Sequence, residues 1–178
     1  MQSDMHDHSI RILSTRPLDQ SIHETAAQNG ITIDTISFIR TEPITRKTLS
    51  LFIKDLSEQQ HYIVFTSKNA VQVVVNELSG IKPRWKIFCI DAATKELVGN
   101  HFGIDAIIAT APYGAQLAEE ILKYKIEELI FFCGNQRREE LPTILKEAGI
   151  NLKELVVYNT IATPQKIEEN YDAIAFFS

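Results

Sequence analysis

Short apolar runs alternate with amphipathic stretches along nearly the whole chain. Residues 10–14 (IRILS) predict a strand, followed by Thr15-Arg16-Pro17 and a helix over about 18–29 that stops at Asn29-Gly30. Residues 31–40 (ITIDTISFIR) begin with period-two alternation at Ile31 and Ile33 and predict one half-exposed strand, broken at Thr41-Glu42-Pro43. Leu49, Phe52, Ile53 and Leu56 share a helical face. After them the predicted order is strand 62–65 (YIVF), helix 69–78 ending at Gly80, strand 86–90 (KIFCI), helix 93–102 and a short strand 106–109. It continues with helix 114–124, strand 129–133 (LIFFC), helix 138–148 closed by Gly149, strand 155–158, and a last strand within 171–178 (YDAIAFFS). Strands that are apolar throughout and alternate with helices predict an α/β fold, a parallel sheet covered on both faces.

One internal echo bears on domain organisation. YIVFTS at 62–67 and YDAIAFFS at 171–178 share an aromatic start, an apolar run and a closing Phe and Ser. The first copy continues into Lys68-Asn69-Ala70-Val71 and a helix, and the second has no such continuation. The echo hints at two similar α/β units, the second incomplete.

Composition narrows the function. The 178 residues are 44% hydrophobic, enough for one well-cored domain or two small ones. A net charge of −5, with no Lys/Arg stripe, argues against a nucleic-acid partner. No apolar run approaches the roughly 20 residues that span a bilayer. Cys89 and Cys133 sit in or at the end of apolar runs, which suits free thiols in a reducing cytoplasm. Met5-His6-Asp7-His8 lacks further ligands at metal-binding spacing, so residues 1–9 read as a disordered tail with no metal.

In open α/β sheets ligands bind beyond the C-terminal ends of the strands. Here those positions carry Thr15-Arg16-Pro17, Thr66-Ser67-Lys68-Asn69, Asp91-Ala92-Ala93-Thr94, Pro112-Tyr113-Gly114, Gly134-Asn135-Gln136-Arg137 and Tyr158-Asn159-Thr160. Hydroxyls, amides and helix N-termini predominate, a setting for carboxylates or phosphates. Each has a structural reading as well: Thr66, Ser67 and Thr94 as helix caps, Gly134 as a tight turn, Arg137 and Arg138 as a solvated helix start, Tyr158 as a packing residue. Neither Gly-x-Gly-x-x-Gly nor a Walker loop occurs, against dinucleotide and ATP enzymes.

The order of the pieces resembles the uroporphyrinogen-III synthase family. FFCGNQRREELPTILKEAGINLKELVVYNT at 131–160 is similar to that family's Gly-Asn-x-x-Arg-x-x-Leu-Pro-x-x-Leu, then Gly, then Val-Tyr-x-Thr. ILSTRPL at 12–18, VFTSKNAV at 64–71, IDAATKELVGNHFGI at 90–104 and GAQLAEEI at 114–121 resemble its other segments in the same order. Asp91 departs from the pattern, standing where the family has Gly.

The resemblance implies two similar Rossmann/flavodoxin-like three-layer domains joined by a two-strand linker. The first domain would be drawn from 10–38 and 161–178 and the second from 39–160. It also implies that the chain stops before the first domain is complete, and hence weak or no turnover for these residues alone. The implied reaction closes the linear polycarboxylate hydroxymethylbilane to uroporphyrinogen III, with ring D inverted and water lost, without cofactor. The implied partners are that tetrapyrrole and, transiently, hydroxymethylbilane synthase. A phenol of ordinary pKa, about 10, is protonated at neutral pH, so a tyrosine is a suitable acid toward the leaving hydroxyl. The matching residue is Tyr158, and the implied substrate contacts are Arg16, Thr66, Ser67, Asn69, Thr94, Gly134, Asn135 and Ser178. A non-catalytic module for a small anion, or an inactive fragment of the synthase, would use the same strand ends.

Overall fold

The longest apolar runs become the centre of a sheet. In the computed structural model, which describes residues 9–177, the strands are β1 (Ile10–Ser14), β2 (Ile31–Thr35), β3 (Ile39–Pro43), β4 (Tyr62–Phe65), β5 (Lys86–Ile90), β6 (Ile107–Ala111), β7 (Glu128–Gly134), β8 (Asn151–Ala162) and β9 (Ala173–Ala175). The helices are α1 (Gln20–Gln28), α2 (Lys47–Ser57), α3 (Lys68–Leu78), α4 (Ala93–Phe102), α5 (Gly114–Leu122) and α6 (Glu140–Glu147), with a 3-10 turn at Ile104–Ala106. The expected tail at 1–9 falls, apart from Ser9, outside the described residues. No helix among them is long and apolar enough to cross a membrane.

The chain divides into two units. Residues up to Arg40 and from Ile161 onward form one, and Thr41–Thr160 the other. In the smaller unit three parallel strands take the order β2-β1-β9, with Leu13 and Ser14 fully buried on the central strand. The larger sheet has the order β3-β8-β7-β4-β5-β6. Its β8-β7, β7-β4, β4-β5 and β5-β6 pairs are all parallel. The unit boundaries fall inside β3 and β8. Ile44 N–H donates to Val157 C=O at 2.9 Å and Thr163 N–H to Phe38 C=O at 2.8 Å, so β3 runs opposite to β8.

Both faces of the larger sheet are covered, which is why its strands are apolar on alternate and intervening positions alike. Ile63, Phe65, Ile87, Ile130, Phe132 and Val157 face α2, α3 and α4, which contribute Ile53, Val71, Val74 and Val98. Val64, Phe88, Leu129, Phe131 and Cys133 face α5 and α6, which contribute Leu117, Ile121, Leu141 and Leu145. Phe65 stacks on Phe132 with ring centroids 5.5 Å apart, and Trp85 Nε1–H donates to Leu56 C=O at 2.9 Å.

Several boundaries differ from expectation. The single strand expected over 31–40 is two, β2 and β3, and Thr41-Glu42-Pro43 belongs to β3 rather than breaking it. All five β3 residues are exposed, so pairing with β8, not a buried face, makes it a strand. β8 runs twelve residues where four were expected. Its Lys153 lies 4.1 Å over the Phe52 ring and its Glu154 is clasped by Arg137 and Lys146, so these charges have partners within a strand. The final strand is confined to Ala173–Ala175.

Candidate active site

Strand order reverses direction between β4 and β7. From β4 the chain moves outward through β5 to β6, then returns to β7 and moves the other way to β8. The crevice beyond the C-terminal ends of β4 and β7 is therefore the position where open α/β sheets bind ligands.

Three of the expected residues meet there. Ser67 follows β4 in extended conformation, and its Oγ accepts from the N–H of Asn69 at 3.1 Å, capping α3. The Tyr158 hydroxyl donates to the same Oγ at 3.1 Å across 91 residues of sequence. Both acceptor positions of the Ser67 hydroxyl are thus filled, and its own hydrogen remains to donate. Gly134, at the end of β7, lies under the Tyr158 ring: a Cβ there would stand 2.5 Å from Cζ and 2.8 Å from the hydroxyl oxygen. The absent side chain makes room for the phenol, so Gly134 serves as a seat for the ring and not only as a turn. Tyr158 itself is 7% exposed, and Ser67 and Thr66 are half-buried.

The other expected residues take different places. Asn135 does not present a free backbone donor: its N–H goes to Tyr158 C=O at 3.1 Å, and its Oδ1 accepts from Thr160 N–H at 2.7 Å. Thr94 does not cap α4. Ala92 holds the cap position without a side-chain bond, and Thr94 is buried in the first turn. Asp91 stands 3.8 Å from Lys95, a loose ion pair that offsets its charge. Arg16 belongs to the smaller unit, exposed after β1, with its guanidinium 4.1 Å over the Phe177 ring. Ser178 lies outside the described residues.

Sequence reasoning missed a charge cluster that joins the segment after β7 to β8. Arg137 donates to Glu154 and, at 2.8 Å, to Glu139, while Lys146 reaches Glu154 at 2.5 Å. Burial acts to raise the Glu154 carboxyl, but the hydrogen bonds from Lys146 and Arg137 outweigh it and hold the group below the ordinary range. Arg137 is therefore tied across to β8 instead of marking a solvated helix start. Among the described residues no group of three or more His, Cys, Asp or Glu is placed to hold a metal ion. Two surface clefts among the described residues, of about 400 and 490 Å³, lie along α1 and α4, and neither includes Tyr158.

Comparison with known proteins bears on the family and the fold. The family model for uroporphyrinogen-III synthase HemD matches residues 20–178. Among solved structures, a mutant uroporphyrinogen III synthase from the extremely thermophilic bacterium Thermus thermophilus is similar with a TM-score of 0.62 at 11% identity, covering 86% of this chain and 64% of that one. The uroporphyrinogen-III synthetase of Helicobacter pylori is similar with a TM-score of 0.55 at 16% identity, covering 90% of this chain and 66% of that one. The chain thus spans just under two thirds of the length of these solved relatives. By the family match over nearly its whole length, and with the α/β fold shared with these structures, the chain belongs to the uroporphyrinogen-III synthase family.

Proposed function

We propose that the protein closes hydroxymethylbilane to uroporphyrinogen III, with Tyr158 as the acid that releases the terminal hydroxyl. The observation that carries this reading is the Tyr158 phenol, seated on Gly134 and hydrogen-bonded to Ser67 at the switch point of the sheet. The C–O bond of the hydroxymethyl group breaks, and its oxygen leaves as water with the phenol proton. The carbon so exposed is attacked by the last pyrrole ring at the α-carbon that already carries its bridge. The old bridge bond breaks and re-forms at the ring's free α-carbon, so that the ring is inverted. The proton lost from that carbon as the ring regains aromaticity returns to the phenolate. The net change is loss of one water, and no redox partner is needed.

Thr66, Ser67 and Asn69 are the substrate contacts around that phenol, with the free Ser67 hydrogen offered to a carboxylate or to the leaving oxygen. Thr94 and Arg16 are read as further contacts at their own strand ends, and Asn135 through its side-chain amide only. In this reading the two units are the family's two α/β domains, and hydroxymethylbilane synthase is the transient partner that supplies the substrate. Control of the isomer comes from holding a flexible chain in one geometry.

The test is the isomer ratio. Hydroxymethylbilane is incubated with the protein, and the products are oxidised and separated as uroporphyrin I and III. Isomer III above the spontaneous background, at a weak rate, is the result that supports the assignment, with Tyr158→Phe lowering that rate by about 10²–10⁴-fold, the range for a lost general acid. Isomer I alone, at the spontaneous rate, would overturn the assignment. Undiminished turnover by Tyr158→Phe would remove Tyr158 from it.

A further inference from the structure

Tyr158 reaches the site because β8 is irregular. Side chains alternate between the faces of a strand. Leu155 and Val157 pack with the cluster of α2, α3 and α4, and strict alternation would send residue 158 to the opposite face. The register slips instead. Cys133 is opposite Val156, and the next residue of β7, Gly134, is opposite Tyr158. β8 accommodates one extra residue, Val157, and Tyr158 joins the same core cluster as Val157. A slip of one residue exchanges faces, and bulges beside functional sites re-aim side chains in this way.

A bulge disrupts the ladder around it, and here Asn135 supplies the partners. Its backbone N–H binds the carbonyl of Tyr158, and its side-chain oxygen binds the N–H of Thr160. One residue thus brackets Tyr158 on its own carbonyl and two positions beyond. The side chain is exposed, so packing does not account for its type, whereas the acceptor on a short stem does. Alanine offers no acceptor, and glutamine places the amide one methylene too far. Aspartate keeps an oxygen at the same reach.

We propose that Asn135 is the positioning residue that holds the β8 bulge and so aims the Tyr158 phenol over Gly134 at Ser67. Its effect on turnover rests on Tyr158 being the acid, but its effect on the ring does not. Tyrosine ring carbons are labelled with 13C, and Tyr158 is assigned by the signal lost in Tyr158→Phe. Asn135→Ala is expected to move the Tyr158 signal while Tyr62, Tyr113, Tyr124 and Tyr171 stay in place, and Asn135→Asp to return it toward its original position. In turnover, Asn135→Ala is expected to lower kcat by up to about a hundredfold, as misplacement by an ångström does. The loss should vanish in the Tyr158→Phe background. If Asn135→Ala does not fold, Asn135→Gln makes the same comparison.

An unmoved Tyr158 signal in these variants would overturn the proposal. So would losses from Asn135→Ala and Tyr158→Phe that multiply independently. A moved signal in a protein that forms no isomer III would uphold the positioning and remove only the catalytic reading.

Discussion

Replacing Gly134 by alanine tests the seat of Tyr158 directly. The added Cβ would stand 2.5 Å from Cζ, 2.6 Å from Cε2 and 2.8 Å from the hydroxyl oxygen of Tyr158. Carbon atoms ordinarily approach to about 3.5–4.0 Å, so the overlap is about 1 Å. The ring cannot yield by swinging into solvent without losing its burial, and the Tyr158 carbonyl is held by Asn135. Overpacking of this kind costs about 1–3 kcal/mol. Displacing the phenol also forfeits its bond to Ser67, about 0.5–1.5 kcal/mol. Against this, alanine in place of a strand glycine gains about 0.5–1 kcal/mol through the unfolded chain. The balance is a destabilisation of about 0.5–4 kcal/mol. Urea unfolding followed by the fluorescence of Trp85, the single tryptophan and 3% exposed inside the larger unit, reads it. In the Tyr158→Ala background the overlap is gone, so Gly134→Ala should there be neutral or stabilising. An equal cost in both backgrounds, or none in either, would refute the packing argument.

Two further outcomes follow from the larger unit. Burial pushes the thiols of Cys89 and Cys133 from an ordinary 9.0 up to about 11. The folded state then favours the neutral thiol, so this contribution is complete below pH 9 and is lost as pH rises from 9 to 11. The urea midpoint should fall less steeply across that window in the Cys89→Ala/Cys133→Ala variant than in the parent, and identical slopes would contradict the assignment. Ala92 occupies φ 62°, ψ −133°, a region that costs other residues about 1–3 kcal/mol but glycine little. Ala92→Gly should raise Tm by about 2–4 °C, the shift for roughly 1 kcal/mol in a chain of this size, and a lower Tm would show that no strain is stored there.

What was legible in the sequence depended on how each element is stabilised. YIVF and KIFCI are buried on both faces, so their boundaries follow from hydrophobicity alone and agree with β4 and β5. β3 and the first half of β8 lack that signal. IRTEP has no buried residue, and Lys153 and Glu154 look like loop residues until Phe52, Arg137 and Lys146 are in place beside them. Strand ends carry donors and hydroxyls whatever they do, so Ser67 could be read as cap or contact, and it is both a cap and the partner of Tyr158. Thr94 is a hydroxyl residue at a similar position and is not a cap, because the turn before α4 places the cap two residues earlier.

The aim of Tyr158 shows where sequence reasoning stops for a physical reason. Periodicity assigns a strand residue to a face by counting, and the count at residue 158 gives the wrong face by one. The correction comes from a backbone bond and a side-chain bond made by Asn135, and from a vacancy at Gly134, residues more than twenty positions away. None of these groups has an apolar pattern to read. Each is recognisable only when β7 and β8 are laid side by side and the slip at Cys133 and Gly134 is seen. The Gly-Asn pair therefore acts as one device at the end of β7. The glycine makes the space and the asparagine holds the neighbouring strand out of register, so that a phenol which would have pointed toward α5 and α6 points at Ser67 instead.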